Sequence, residues 1–285
     1  TDVFDDLGLS VPETYDELYA TAVKATRPIN GRQIYGFSTR AAQYWSTFLV
    51  PYGSYFYSYG GRFFDENLNT VVNESQVVRA TEDFVRLLKD AGPPGVLSFD
   101  WYESQQSFAT GNYAMILEAD LFAPFWEDAS RSEVAGRVGY ALAPKGPHSR
   151  RTLRYIWQIG MNSASKNKDA TWLFLQWGTS KDVLNKTHAG GNMNPVRSSG
   201  WEYQPIVDQV KNWGAVPDQY RQVSQEMSTH YSAFYIPPHP EAIRLMDRMS
   251  QVVQEVYEGI MSAEDALAAA ARDIERINRQ AGIVK

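Results

Sequence analysis

Glu118 and Asp120 stand on either side of a single alanine, just behind the apolar run Ala114-Met115-Ile116-Leu117. Alternate residues of a strand share a face, so the two carboxyls can lie close together. Carboxyl pairs about 5 to 10 Å apart are what glycoside cleavage uses, although ordinary solvated carboxylates are the commoner outcome. A second group, Arg40, Gln43, Tyr44 and Trp45, sets a cation, an amide and two flat rings close together in a stretch without clean periodicity. Rings of this kind stack on the apolar C–H faces of a sugar, while amide and charged groups hydrogen-bond its hydroxyls. The plainer reading of the same residues is a core tryptophan beside a surface charge.

Other chemistries are excluded by what is missing. Cysteine is absent, which removes thiol catalysis, disulfides and thiolate metal sites. His148, His188, His230 and His239 are scattered without an H-E-x-x-H string or i, i+4 pairing, so neither a metal site nor a cofactor is expected. No G-x-G-x-x-G, Walker A or G-x-S-x-G string occurs. The net charge is −6, with no Lys/Arg-rich run to clamp a phosphate backbone, so nucleic acid is not an expected partner. No apolar window reaches the roughly 18 to 20 residues of a membrane span. The chain opens on Thr1-Asp2-Val3-Phe4 without a signal-peptide pattern, and the expectation is that a preceding segment has been removed, with any signal peptide or lipid anchor lying upstream.

The elements that must hold these residues follow from spacing and caps. Thr14-Tyr15-Asp16-Glu17 has the form of a capping box and predicts a helix over 14–26. Ile34–Ser38 reads as a strand, and Arg40 to Gly61 as a helix plus an aromatic loop ending in a Gly60-Gly61 turn. Val77, Thr81, Phe84, Val85 and Leu88 predict an amphipathic helix over 75–90, and a second is expected over 102–110. Ala114–Leu117, Val138–Leu142 and Tyr155–Met161 read as strands. A helix over 169–179 carries Leu173, Phe174 and Trp177 on one face, with Ser165 or Asn167 as its cap. Prolines punctuate 186–240, which predicts short helices and loops there. Two strong helices close the chain, one marked by Ile243, Met246, Met249, Val253, Val256 and Ile260. The other follows a Ser262 cap with Leu267, Ala270, Ile274 and Ile277 inward. The alternation of helices and strands makes the fold α/β.

Six local signatures occur in order: VFDDLGLSVPETYDEL (3–18), YGGRFFD (59–65), FATGNYAM (108–115), SRSEVAGRVGYALAPKGP (130–147), SASKNKDATWLFLQW (163–177) and EGIMSAEDALAAAARDI (258–274). Together they resemble the extracellular solute-binding proteins of bacterial ABC-type sugar importers, in the branch containing maltose-, trehalose- and polyol-binding proteins. The resemblance implies a two-lobed, periplasmic-binding-protein-like α/β fold of class II. Family members carry, ahead of the segment resembling 3–18, a stretch that supplies most of the first lobe and is missing here. The implied organisation is therefore a second lobe over 1–155 and 199–285, with 156–198 crossing into the remainder of the first lobe.

The resemblance also implies roles for individual residues. Arg40 and the nearby Gln43 and Trp45 stand where polyol-binding relatives carry a ligand-contacting Arg and aromatics. Asp120, with Glu118, stands at the cleft position after the G-x-x-A-M motif. Trp157 occupies the place of a ring facing the ligand before the chain crosses between lobes. Tyr235 and His239 flank Ile236-Pro237-Pro238 in a region that lends a further aromatic, and Arg197 fits a recurring P-x-R element that serves equally as a structural contact.

The expected function is that of the substrate-binding component of a bacterial ABC transporter, in the periplasm or at the cell surface. It would capture a sugar or sugar alcohol between two lobes and hand it to the membrane permease subunits, with no covalent step. Two alternatives of other classes stand beside it. A carbohydrate-active enzyme using Glu118 and Asp120 predicts turnover; a protein-interaction module predicts a large exposed aromatic patch.

Overall fold

The computed structural model describes residues 1–283 apart from Asn30, Asn192, Met193 and Tyr235. The chain opens with a short helix α1 (Asp2–Leu7) and then α2 (Tyr15–Ala25). The capping box forms as its residues require: the Thr14 hydroxyl accepts the Glu17 N–H at 3.1 Å and the Glu17 carboxylate accepts the Thr14 N–H at 3.3 Å. Strands β1 (Arg27–Ile29) and β2 (Arg32–Ser38) follow as an antiparallel pair. α2 lies so close over β2 that a Cβ on Gly36 would meet the Ala22 carbonyl oxygen at 1.8 Å, so only glycine fits there.

The stretch from Arg40 to Gly61 differs from the expectation. Instead of a helix followed by an aromatic loop, it is helical from Trp45 to Ser58: α3 (Trp45–Thr47), a wide π-helical segment (Phe48–Tyr52) and α4 (Gly53–Ser58). The wide turn accommodates Pro51, which has no N–H to give to a regular α-helix. Its aromatics are core, not loop. Phe48, Tyr52, Tyr55 and Phe56 are fully buried and pack against Phe84 and Leu88 of α5 (Ser75–Ala91), and against helices contributed by the other end of the chain.

After α5 come α6 (Trp101–Ala109), β3 (Tyr113–Ile116) and α7 (Ala123–Trp126). β3 pairs in parallel with β2, Tyr35 opposite Tyr113 and Phe37 opposite Met115, so the sheet order is β1-β2-β3. Among the described residues a second sheet pairs β4 (Thr152–Leu153) with β5 (Ser232–Ala233), far along the chain. Val138–Leu142 is not a strand. Its backbone is satisfied elsewhere: the Val138 carbonyl accepts the Ala215 N–H, and the Tyr140 N–H bonds the Gln219 side chain, both at 2.9 Å. Tyr155–Met161 is likewise irregular, with no neighbouring strand among the described residues.

The remaining helices are α8 (Lys168–Gly178), α9 (Lys181–Ala189), α10 (Gln204–Val210) and α11 (Gln219–Glu226), and then the long pair α12 (Ala242–Tyr257) and α13 (Ala263–Gln280). Ser262 caps α13 by accepting the Asp265 N–H, and Leu267, Ala270, Ile274 and Ile277 are buried as their spacing requires. On α12, Met246, Met249 and Val253 are buried, but Ile243 is exposed, as is Ile260 beyond the helix end. α8 forms where expected after Asn167, yet no residue between 151 and 184 is buried. Leu173 and Trp177 on its apolar face are 66% and 61% exposed. No described helix is long and apolar enough to cross a membrane.

Candidate binding site

Ligands of α/β sheets bind beyond the carboxyl ends of parallel strands. β2 ends at Ser38 and β3 at Ile116, and two residues past each end stand Arg40 and Glu118. They form a bidentate ion pair, Nε to Oε1 at 2.5 Å and Nη2 to Oε2 at 2.6 Å, with the Arg40 side chain nearly and the Glu118 side chain fully buried. The Ser104 hydroxyl of α6 donates to Glu118 Oε1 at 2.8 Å, and the Ala119 N–H donates to Oε2 at 2.6 Å. The two strand exits are also joined by Thr39, whose hydroxyl donates to the Leu117 carbonyl at 2.8 Å.

Aromatic rings flank this pair. The Arg40 guanidinium lies over the ring of Phe122, 5.9 Å from its centroid, and Phe122 stacks on Trp101 with planes 7° apart. Trp101 and its neighbour Tyr102 are exposed. One helical turn after Phe122, Trp126 anchors the loop from behind, donating its indole N–H to the Gln105 carbonyl.

Asp120 opens a single 3-10 turn (Asp120–Phe122) in the same loop. It keeps contact with solvent although protein surrounds it on several sides, and that desolvation raises its pKa, opposed by hydrogen bonds from Ser224 and Asn194. Buried Tyr220 of α11 donates its hydroxyl to the Asp120 carbonyl and to the Asn194 side-chain oxygen, tying this loop to the segment after α9.

The other predicted residues fall in several places. Trp45 is half-buried at the start of α3, its ring 5.4 Å from that of exposed Tyr44, and Gln43 is exposed beside them. Trp157 is 71% exposed and meets Tyr155 edge-on. Arg197 donates to the Thr179 carbonyl at 2.8 Å, a cation at the carboxyl end of α8 where the helix dipole favours it. His239 lies against Phe64, and its Nδ1 accepts the Glu241 N–H at 3.0 Å. Tyr235 lies outside the described residues. No hydrogen bond, ion pair or ring contact among the described residues links Trp157, Arg197 or His239 to the Arg40 group. No group of three or more His, Cys, Asp or Glu side chains that could hold a metal occurs among them either.

Sequence reasoning missed Ser104, Trp101, Phe122, Asn194, Tyr220 and Ser224. Only Trp101-Tyr102 carried a local signal: two adjacent large rings at the start of a helix whose capping box, Asp100 with Glu103, is itself legible.

The fold is that of the α/β binding proteins of the periplasmic type. The chain belongs to the bacterial extracellular solute-binding protein family, whose profile matches residues 1–184. Proteins of this family bind solutes for ABC transporters and are not enzymes. Over 294 residues the chain is 26% identical to the mannitol-binding protein of Pseudomonas aeruginosa, covering 100% of this chain and 67% of that one. It superposes with a TM-score of 0.80 and 26% identity on a D-mannitol-bound ABC transporter solute-binding protein from Agrobacterium vitis, over 99% of this chain and 70% of the other. A ribitol complex from Agrobacterium radiobacter shares the fold at a TM-score of 0.83 with 24% identity, over 97% of this chain and 67% of that one.

Proposed function

We propose that the polypeptide captures a sugar or sugar alcohol between two lobes in the periplasm or at the cell surface and presents it to permease subunits of an ABC importer. The observation that carries this reading is the cluster of Arg40, Glu118 and Asp120 at the carboxyl ends of β2 and β3, beside exposed Trp101 and Tyr102, in a chain of this family. Hydroxyls would be held by the polar groups and C–H faces by the rings; ring stacking and hydrogen bonding then stabilise a closed form over an open one. The mannitol-binding relative and the ribitol and mannitol complexes support a polyol as ligand.

In this reading residues 1–155 and 199–285 make the second lobe, and 156–198 belongs with the first. The bare surface over 151–184 supports it. Trp157, Trp172, Leu173, Phe174 and Trp177 are each exposed, and burying each such side chain is worth about 1.5–3 kcal/mol. A protein-interaction module would also show such a patch, but the relatives exceed this chain by about a third of their length, which supports an intramolecular cover. The glycosidase alternative is set aside: the family is not enzymatic, and Glu118 is locked by four donors.

The test is thermal unfolding with D-mannitol, ribitol and maltose, on this chain and on a longer polypeptide carrying the further lobe. A ligand at 100 times its Kd adds about 2.7 kcal/mol. A rise in midpoint with one of them, in the longer polypeptide, is the expected result. No shift with any would sink the carbohydrate assignment and point to peptides, polyamines or a partner protein.

A further inference from the structure

We infer that Glu118 is a positioning residue that cancels the charge of Arg40, so that the site takes an uncharged polyhydroxy ligand rather than a sugar acid or sugar phosphate; this rests on the solute-binding reading above.

A carboxylate has about four lone-pair directions. All four of Glu118 are taken by protein donors: Arg40 Nε and Nη2, the Ser104 hydroxyl and the Ala119 N–H. Its side chain is fully buried. Nothing of Glu118 remains to accept a ligand hydroxyl, which separates its role from that of Arg40. On Arg40, the guanidinium is held along one edge by Glu118 and along one face by Phe122, while Nη1 makes no hydrogen bond to the described residues. A planar fork fixed at two of its nitrogens presents the third in one direction, so its hydrogen-bond donors are preorganised rather than swinging on a flexible stem.

The charge balance sets the ligand class. A nearly buried guanidinium without a counter-ion would favour a carboxylate or phosphate as the partner that neutralises it. Here the neutralising carboxylate is built in. An anionic ligand would meet a cation whose charge is already paired. A hydroxyl needs only a hydrogen-bond partner, which Arg40 Nη1 supplies.

The experiment is titration calorimetry of the longer polypeptide with D-mannitol and with D-gluconate, for the parent, E118Q, R40Q and the double variant. The Arg40 Nε–H resonance is followed in parallel by 15N NMR without ligand. The expected result has several parts. The parent binds D-mannitol and not D-gluconate, E118Q and R40Q each weaken mannitol tenfold or more, and the double variant binds no more weakly than R40Q. E118Q also shifts the mannitol-to-gluconate ratio at least tenfold toward gluconate. The Nε–H signal is protected from exchange in the parent and loses that protection in E118Q. Should E118Q not fold, E118D, which keeps the charge but retracts it by one methylene, replaces it: loss of Nε–H protection with weakened mannitol binding then supports the inference.

Losses that multiply in the double variant would show Glu118 touching ligand itself and overturn the inference, as would a parent that prefers gluconate. An unprotected Nε–H in the parent would also overturn it, whatever the ligand data. Failure of the parent to bind either compound, or ribitol or maltose, overturns the carbohydrate reading and the ligand-class inference with it.

Discussion

Tyr220 joins two segments that are distant from one another in the chain: its buried hydroxyl donates to the Asp120 carbonyl at 3.1 Å and also reaches the side-chain oxygen of Asn194. One phenol thus couples the loop after β3 to the segment after α9, which is where the chain enters the stretch 156–198 from its far side.

Tyr220→Phe keeps the ring packing against Trp201, Trp213 and Tyr140 and removes only the donor. Two acceptors then lose it in a buried setting, at a cost of about 1–3 kcal/mol. The expected outcome is a lowered urea midpoint with an unchanged m-value, because the surface exposed on unfolding is the same.

Asp120 makes stability depend on pH. Its folded pKa is raised above the unfolded value of 3.8 by desolvation, so the native state binds its proton more tightly than the unfolded chain does. Stability contributed here is therefore greatest below the unfolded value and declines as pH rises through the folded one. Asp120→Asn removes the ionisation, so its melting midpoint relative to the parent should be higher at pH 7 than at pH 4. A parent-minus-variant difference that does not move with pH would refute this.

Gly36→Ala places a methyl against the backbone of α2, 1.8 Å from the Ala22 carbonyl oxygen. A backbone atom in a helix cannot swing away as a side chain does, so helix and strand must separate. A loss of about 3 kcal/mol is expected, at the upper end for overpacking, read from chemical denaturation.

The exposed and buried apolar residues should respond in opposite ways. Leu245 is fully buried in the main core, and Leu245→Ala should cost about 2–5 kcal/mol. Leu173→Ser and Phe174→Ser on α8 should change the stability of this chain by no more than about 0.5 kcal/mol. In a polypeptide carrying the further lobe, the same two substitutions should lower the melting midpoint clearly. Equal, negligible effects in both would argue against an intramolecular cover.

What could be read along the chain is what local physics decides. Thr14 with Glu17 and Ser262 with Asp265 are caps a few residues long, and they formed. Val77, Thr81, Phe84, Val85 and Leu88 share one helical face, and all five are buried. The strands over 34–38 and 114–117 also formed, because each found the other: β2 and β3 pair in parallel. Val138–Leu142 and Tyr155–Met161 had equally apolar strings and did not form strands. A strand is completed by a neighbour that the string itself does not contain, and neither run has one among the described residues.

The candidate site shows the same division. By itself the sequence determined that Arg40, Glu118 and Asp120 sit just past two short strands, with aromatic residues close by in the chain. Only the tertiary structure separated the two carboxylates. The strand alternation that would have placed them side by side ends at Ile116; the chain then turns, burying Glu118 against Arg40 and Ser104 and leaving Asp120 in contact with solvent. Arg40 and Glu118 lie 78 positions apart, so their pairing depends on β2 and β3 ending at the same edge of one sheet. The outcome follows from the geometry of parallel pairing, a long-range property that no local window of residues expresses.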